Sequence, residues 1–388
     1  MPANVLLLGT ARFCRRSTTP TTRAVVVTTI AFLGALGLAP SCAQEVTRPQ
    51  PTPANLVSES ELASIVVDST AREVDSLRTY ALQLASAETV LRLGAGGRGG
   101  LFGRVSHALL HRALGEILVW DSGRGAVWRF STLGVPLGSV QVPGRDMATF
   151  LSPLSLARLD EKSFALFHRQ GVTLAAITDD RIETRSIRLN PPLNSGCAAS
   201  RTLFVHGWTD TGKLVRAIDA SSGSRHAFGA TYASDDARIA ADLSTGAIGC
   251  SQSASVVLAM MDILPYVVGY SLDGVRRWIS KLGDYRPVQT EVFERGKRLG
   301  VLRQVDGYFD RPAALLPLDD TAALLQVSRM TENGRMLRSY LFDLRTGRGQ
   351  FVGDSLPLVL DALWPDLVVV SRGERPIVSV VRVVRSVG

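Results

Sequence analysis

The stretch LRLGAGGRGG, Leu91 to Gly100, decides between two folds. Its glycines at Gly94, Gly96 and Gly99 satisfy G-x-G-x-x-G, and the apolar run ETVLRL leads into them. In a dinucleotide-binding unit such glycines let the backbone approach a pyrophosphate, a helix N-terminus faces it, and an acid holds the ribose. Here SHALLHRAL would be the helix and Asp121 the acid. But Asp121 lies 27 residues past Gly94 and runs at once into SGRGAVW, a hairpin, with no β-α-β unit after it. On the other reading RVSHALLHRALGEILVWD is a strand, a turn at His111 to Gly115, and a second strand. Gly94 to Gly100 is then the loop from a closing strand, Thr89 to Leu93, into the first unit of an all-β repeat. The second reading is adopted, and no dinucleotide is expected.

Beyond Glu88 the chain keeps this grammar. ILVW meets DSGRG and AVWRFS; FALF meets HRQG and VTLAAI; LFVHGW meets TDTGK and LVRAIDA. SVVLAMM precedes YVVGYSLDG, ALLQVS meets MTENG, and LVVVS meets RGERP and IVSVVRVV. Each unit is an apolar strand, a polar turn and a second strand. Six such hairpins start at positions 117, 164, 203, 255, 323 and 367, and long helical patterns are missing between them. Repeated short hairpins of this kind predict an all-β propeller of four-stranded antiparallel blades, six by the number of hairpins.

Two stretches carry a family resemblance. GEILVWDSGRGAVWRFSTLG, Gly115 to Gly134, resembles an NHL-type blade, and LPYVVGYSLDGVRRWI, Leu264 to Ile279, resembles the second half of one, with Asp273-Gly274 in its turn. The resemblance is to six-bladed propellers of exported bacterial proteins; it implies a fold over residues 88–388 and no single activity. Between Ser280 and Ala322 the chain departs from the pattern through an extra-long connection.

The 388 residues carry a formal charge of +8, which raises the question of nucleic acid. Residues 1–43 hold Arg12, Arg15, Arg16 and Arg23 and no acid, which leaves 39 basic against 35 acidic residues in the remainder. Those arginines are scattered among acids with no basic stripe, so no nucleic-acid partner is expected. The N-terminus reads as an export signal: a basic stretch, sixteen uncharged residues from Ala24 to Ala39, and the small residues Ser41 and Ala43. Cleavage after Ala43 is expected, with an uncleaved anchor or lipidation at Cys42 as the alternatives for a membrane attachment. Gln44 to Ser58 then reads as a proline-rich tether. From Glu59 to Ala87 the signal stays open: Val74, Leu77, Ala81, Leu82 and Leu84 would share a helical face, whereas SIVVDS reads as a strand. The protein is expected outside the cytoplasm, periplasmic or extracellular. Its two remaining cysteines, Cys197 and Cys250, are then expected as a disulfide, with two buried thiols as the alternative.

Catalytic motifs are sparse. No G-x-S-x-G elbow, H-E-x-x-H helix or EF-hand loop occurs. Registering the hairpins by their first strands places Asp121, His168 and His206 at corresponding strand-ending turns of three successive units. Such turns gather at one end of a propeller, where an aspartate and two histidines could bind a divalent metal. The alternative for Asp121 is turn capping, and for the histidines a place in the strand ends. Trp120, Trp128, Trp208, Trp278 and Trp364 fall in or beside hairpins and are expected to fill the space between blades. The sequence therefore points to a non-catalytic platform for a protein, peptide or envelope ligand that needs no cofactor. A metal-dependent hydrolase or lyase at the channel mouth is the competing reading.

Overall fold

A computed structural model describes residues 46–48, 74–93, 102–111, 114–141, 153–160, 163–177, 182–189, 193–207, 212–232, 236–295, 298–304, 309–331, 334–371 and 376–383. The glycine turn Gly94 to Gly100 and SIVVDS lie outside the described residues. The first elements are β1 (Val46–Arg48), α1 (Asp75–Ala85) and β2 (Glu88–Leu93). Blade 1 follows as β3 (Val105–His111), β4 (Glu116–Asp121), β5 (Ala126–Ser131) and β6 (Pro136–Gln141). Blade 2 is β7 (Ser155–Arg158), β8 (Ser163–His168), β9 (Gly171–Ile177) and β10 (Ile182–Arg188). Blade 3 is β11 (Ser195–Ala199), β12 (Thr202–His206), β13 (Lys213–Asp219) and β14 (Arg225–Ala230), followed by the short helix α2 (Ala237–Leu243). Blade 4 is β15 (Gly246–Ser251), β16 (Val256–Met261), β17 (Tyr266–Ser271) and β18 (Arg276–Lys281).

The extra-long connection then forms its own hairpin, β19 (Gln289–Arg295) and β20 (Arg298–Gln304), and β1 pairs antiparallel with β19. Within the stretch read as a tether, Val46–Arg48 is thus a strand. Blade 5 is β21 (Asp310–Pro317), β22 (Ala322–Thr331), β23 (Gly334–Asp343) and β24 (Gly349–Gly353). Blade 6 is β25 (Leu358–Leu363), β26 (Asp366–Ser371) and β27 (Ile377–Arg382), completed by β2 as its fourth strand. The fold is a six-bladed β-propeller of four-stranded antiparallel sheets. All six hairpins read from the sequence are the second and third strands of a blade. The segment SHALLH is the innermost strand β3, so the strand–glycine–helix order of a dinucleotide unit does not form.

The middle strands carry long apolar runs because both faces of each blade are covered by a neighbouring blade. Side chains alternate across a strand, and the core divides accordingly. On β4, Ile117 and Val119 pack toward blade 6 with Val368 and Val378, while Leu118 and Trp120 pack toward blade 2 with Phe164 and Leu166. On β16, Val257 and Ala259 join blade 3, and Val256, Leu258 and Met260 join blade 5. Every seam between blades is in this way a hydrophobic core of its own. Trp120 meets Phe164 edge-on at 5.2 Å, and Trp278 donates from Nε1 to the Leu344 carbonyl across the next seam but two. Trp208 lies outside the described residues.

Helix α1 settles part of the open N-terminal region. It buries Val74, Leu77 and Leu84 in the seam between blades 5 and 6, while Leu82 stays 61% exposed. Polar bonds fix it there: Val74 N donates to Gln350 Oε1 at 2.8 Å, Ser76 Oγ to Asp343 at 2.6 Å and the Tyr80 hydroxyl to Asp319 at 2.5 Å.

Cys197 on β11 and Cys250 on β15 form a disulfide between the innermost strands of blades 3 and 4, with Cα atoms 5.8 Å apart. The linked positions are 53 residues apart, and closing a loop of that size in the unfolded chain stabilises the fold by about 4 kcal/mol on the chain-entropy account. Replacing both cysteines by serine is expected to lower the free energy of unfolding by about 3–4 kcal/mol in denaturant titrations. A loss below about 1 kcal/mol would mean that the seam, not the cross-link, sets the stability.

Candidate functional site: the axial channel and its elaborated end

The innermost strands β3, β7, β11, β15, β21 and β25 stand around the axis and enclose a cavity of about 330 Å3. Each is the terminal strand of its sheet, so its inner edge carries unpaired main-chain N–H and C=O groups. Side chains satisfy part of that edge, with at least one bond at every seam. Ser155 Oγ of blade 2 accepts from Gly196 N of blade 3 at 2.7 Å, and Ser195 Oγ donates to the Gly246 carbonyl of blade 4 at 3.0 Å. Ser251 Oγ reaches the Asp319 carbonyl of blade 5 at 3.5 Å, and Val359 N of blade 6 donates to Gln326 Oε1 of blade 5 at 2.7 Å. Asp361 accepts from Leu110 N of blade 1 at 2.8 Å, and Arg158 of blade 2 donates to the Leu110 carbonyl at 2.9 Å.

Arg158 then runs on across β3 to blade 6. It pairs with Asp361 at 2.5 Å and donates to the Ala362 carbonyl at 3.0 Å. Leu110, Arg158 and Asp361 all lie late in their strands, and His107 lies early in β3. The ion pair therefore lies toward one end of the disc and His107 toward the other. Inner strands also approach closely: a Cβ on Gly249 would come within 2.3 Å of the Leu315 carbonyl oxygen.

Strand direction places the turns between second and third strands at the same end as the blade-to-blade connections. That end carries α2 and the β19–β20 hairpin, which lie against each other. The hairpin's base is anchored by Asp310, which accepts from Arg286 N at 2.8 Å and pairs through both oxygens with Arg329, at 2.7 and 2.6 Å. Both members of the pair are buried, and the Asp310 contacts hold the Arg329 guanidinium above its usual range.

Asp121, His168 and His206 do fall at this end, but the structure does not bring them together as a metal site. Among the described residues no three His, Cys, Asp or Glu side chains converge. Asp121 is fully buried, and its carboxylate is taken up by four backbone donors, Gly103, Arg104, Gly123 and Arg124, at 2.8 to 3.2 Å. His168 sits 3.3 Å from the Thr173 hydroxyl within its own hairpin. His206 shares its face of β12 with Phe204, which packs into the seam with blade 4; it is fully buried and neither ring nitrogen has a hydrogen-bond partner. A turn position fixes the end of the disc at which a residue lies, but not the direction of its side chain.

Sequence reading missed His107, Arg158 and Asp361. Their inner strands, VSHALLH, SLAR and LVLDAL, interrupt the apolar pattern with polar residues. The one usable signal was position: each precedes a recognisable hairpin by one strand and one turn.

No family model and no curated protein matches the chain. Solved structures do resemble it. One is a Bacteroides fragilis protein assigned as exported, 11% identical, with 82% of this chain and 99% of that one covered at a TM-score of 0.49. Another is a member of the duf4221 family from Bacteroides vulgatus, 7% identical over 77% of this chain and 98% of that one, also at 0.49. A third is the β-propeller domain of Cps50 (Swd1) from Myceliophteria thermophila, 11% identical over 77% of this chain and all of that domain, at 0.43. At these identities the likeness concerns the fold alone.

Burial holds the His206 imidazole neutral, with its pKa pushed down to about 3. An unfolded histidine titrates near 6.5. Below that pH the unfolded chain takes up a proton that the folded chain refuses, so stability present above about pH 6.5 is lost as pH falls toward 3. Between pH 7 and pH 5 this one group costs about 2 kcal/mol. Denaturant titrations at both pH values should show His206→Leu losing about 2 kcal/mol less than the parent on acidification. Equal acid sensitivity in the two proteins would assign the titration elsewhere.

Proposed function

We propose that this protein is an exported, non-catalytic binding module whose elaborated end receives a protein, peptide or envelope ligand. One observation carries the reading: α2 and the β19–β20 hairpin are both added at the same end of the disc, and a buried Arg329–Asp310 pair holds the hairpin's base. Loops on a rigid scaffold are where binding surfaces are built, and a fixed base lowers the ordering cost of binding. Export is supported by the disulfide, a bond of oxidising compartments, together with the signal-like N-terminus. The NHL-type kinship of blades 1 and 4 belongs to the same reading and is supported by the capped turn that Asp121 forms. The competing hydrolase or lyase would need catalytic groups other than the Asp121 carboxylate, whose oxygens are committed to backbone donors.

The test replaces Gln289–Gln304 by a two-residue Asn-Gly turn and compares variant and parent as baits in envelope extracts. The expected result is a ligand retained by the parent and lost by the variant, with thermal unfolding shifted by no more than a few degrees. Equal capture by both would remove the hairpin from the binding surface.

A further inference from the structure

The axial cavity has a chemistry of its own. At about 330 Å3 it lies at the small end of the range for small-molecule sites, about 300–1,000 Å3. Arg158 and Asp361 are the charged side chains among its described lining residues, and they neutralise each other. The rest of the wall is main-chain edge, aliphatic side chains, the Cys197–Cys250 disulfide and a few neutral polar groups.

Those neutral groups are incompletely used. Ser155 Oγ accepts from Gly196 N and keeps its own hydroxyl hydrogen to donate. Ser195 Oγ gives its hydrogen to the Gly246 carbonyl and keeps lone pairs to accept. His107 lines the cavity with Nδ1 buried and without a partner, and burial holds its imidazole neutral, its pKa pushed down to about 4. A neutral imidazole carries one proton. Either tautomer leaves Nδ1 unpartnered; the one with its proton on Nε2 makes the ring a donor to a ligand in the cavity.

We propose that the channel binds a small, uncharged, polyhydroxylated molecule of the monosaccharide class, with His107 donating from Nε2 to one of its hydroxyl oxygens. Each ligand hydroxyl both donates and accepts, which suits a wall where N–H and C=O groups alternate along strand edges. A charged ligand would shed its hydration into a wall that offers no uncompensated opposite charge. The inference is independent of the platform reading, since it involves neither the hairpin nor a macromolecule.

Calorimetry and saturation-transfer NMR on the purified protein provide the test, with D-glucose, D-mannose and N-acetyl-D-glucosamine as neutral probes. D-glucuronate and D-glucosamine serve as charged ones. The expected result is saturable binding of at least one neutral sugar with a Kd in the millimolar range or below, and about tenfold weaker binding of the charged probes. His107→Leu should weaken binding about tenfold or more, and His107→Gln, which keeps a donor in the wall, should stay within about threefold of the parent. His107→Ala, expected to weaken binding likewise, carries the test if the Leu variant fails to fold. No saturable binding of any neutral sugar up to about 50 mM, charged probes binding as tightly, or binding indifferent to His107→Leu would each overturn the proposal. The hairpin-replaced variant should bind the sugar as the parent does, so failure of one reading leaves the other standing.

Discussion

The antiparallel pairing of β2 with β27 ties the first strand of the disc to the last, and the other seams depend on it. A blade here has no solvent face, because both sides of its middle strands are buried against neighbours. An open ring would expose two whole faces, those of blades 1 and 6, including Ile117, Val119, Val368 and Val378, which now share one cluster. Fully burying a large aliphatic side chain is worth about 1.5–3 kcal/mol, so closure recovers a seam's worth of such terms at once. Helix α1 reinforces the closure, since it immediately precedes β2 and inserts Leu77 and Leu84 into the adjoining seam.

Closure creates a second problem at the axis, where six strand edges face each other with unpaired backbone groups. Water can satisfy some of them, but a wall left wholly to water would be soft. The ring answers with side chains that reach from one blade to the backbone of the next at all six seams, including Ser155, Ser195, Gln326 and Asp361. The Arg158–Asp361 pair shows the same logic with charge. Each partner also binds the Leu110 backbone, so neither is left with an uncompensated charge inside the disc.

The middle hairpins were legible in the sequence because burial on both faces demands continuous apolar runs, and the Asp and Gly turns between them punctuate those runs. Apart from β3, read as the strand before the His111 to Gly115 turn, inner strands were not legible for the opposite reason. One edge faces the channel and neighbouring groups crowd the rest, the Phe167 ring at Gly196 and the Leu315 carbonyl at Gly249, so these positions are set by close approach rather than by hydrophobicity. The cysteine pair was legible from number and compartment alone. The Asp121, His168 and His206 grouping shows where register runs out: His206 turns into a seam, and Asp121 spends its lone pairs on its own turn. The channel residues His107, Arg158 and Asp361 come from three different inner strands, so only the closed ring brings them to one cavity.

The two ends of the disc are unequal, and topology explains which one can be elaborated. Turns that join strands within a blade must match the hairpin twist on both sides, which keeps them short. Blade-to-blade connections carry no such restriction, because their flanking strands belong to different sheets. Insertions such as α2 and β19–β20 are therefore tolerated there, provided their bases are pinned so that the inner strands do not shift. Asp310 meets that condition at the first residue of β21, where one carboxylate binds both the Arg286 backbone and the Arg329 guanidinium. The Asp310 anchor thus separates the hairpin from the ring beneath it, whereas the channel wall is built from the same inner strands that form the seams.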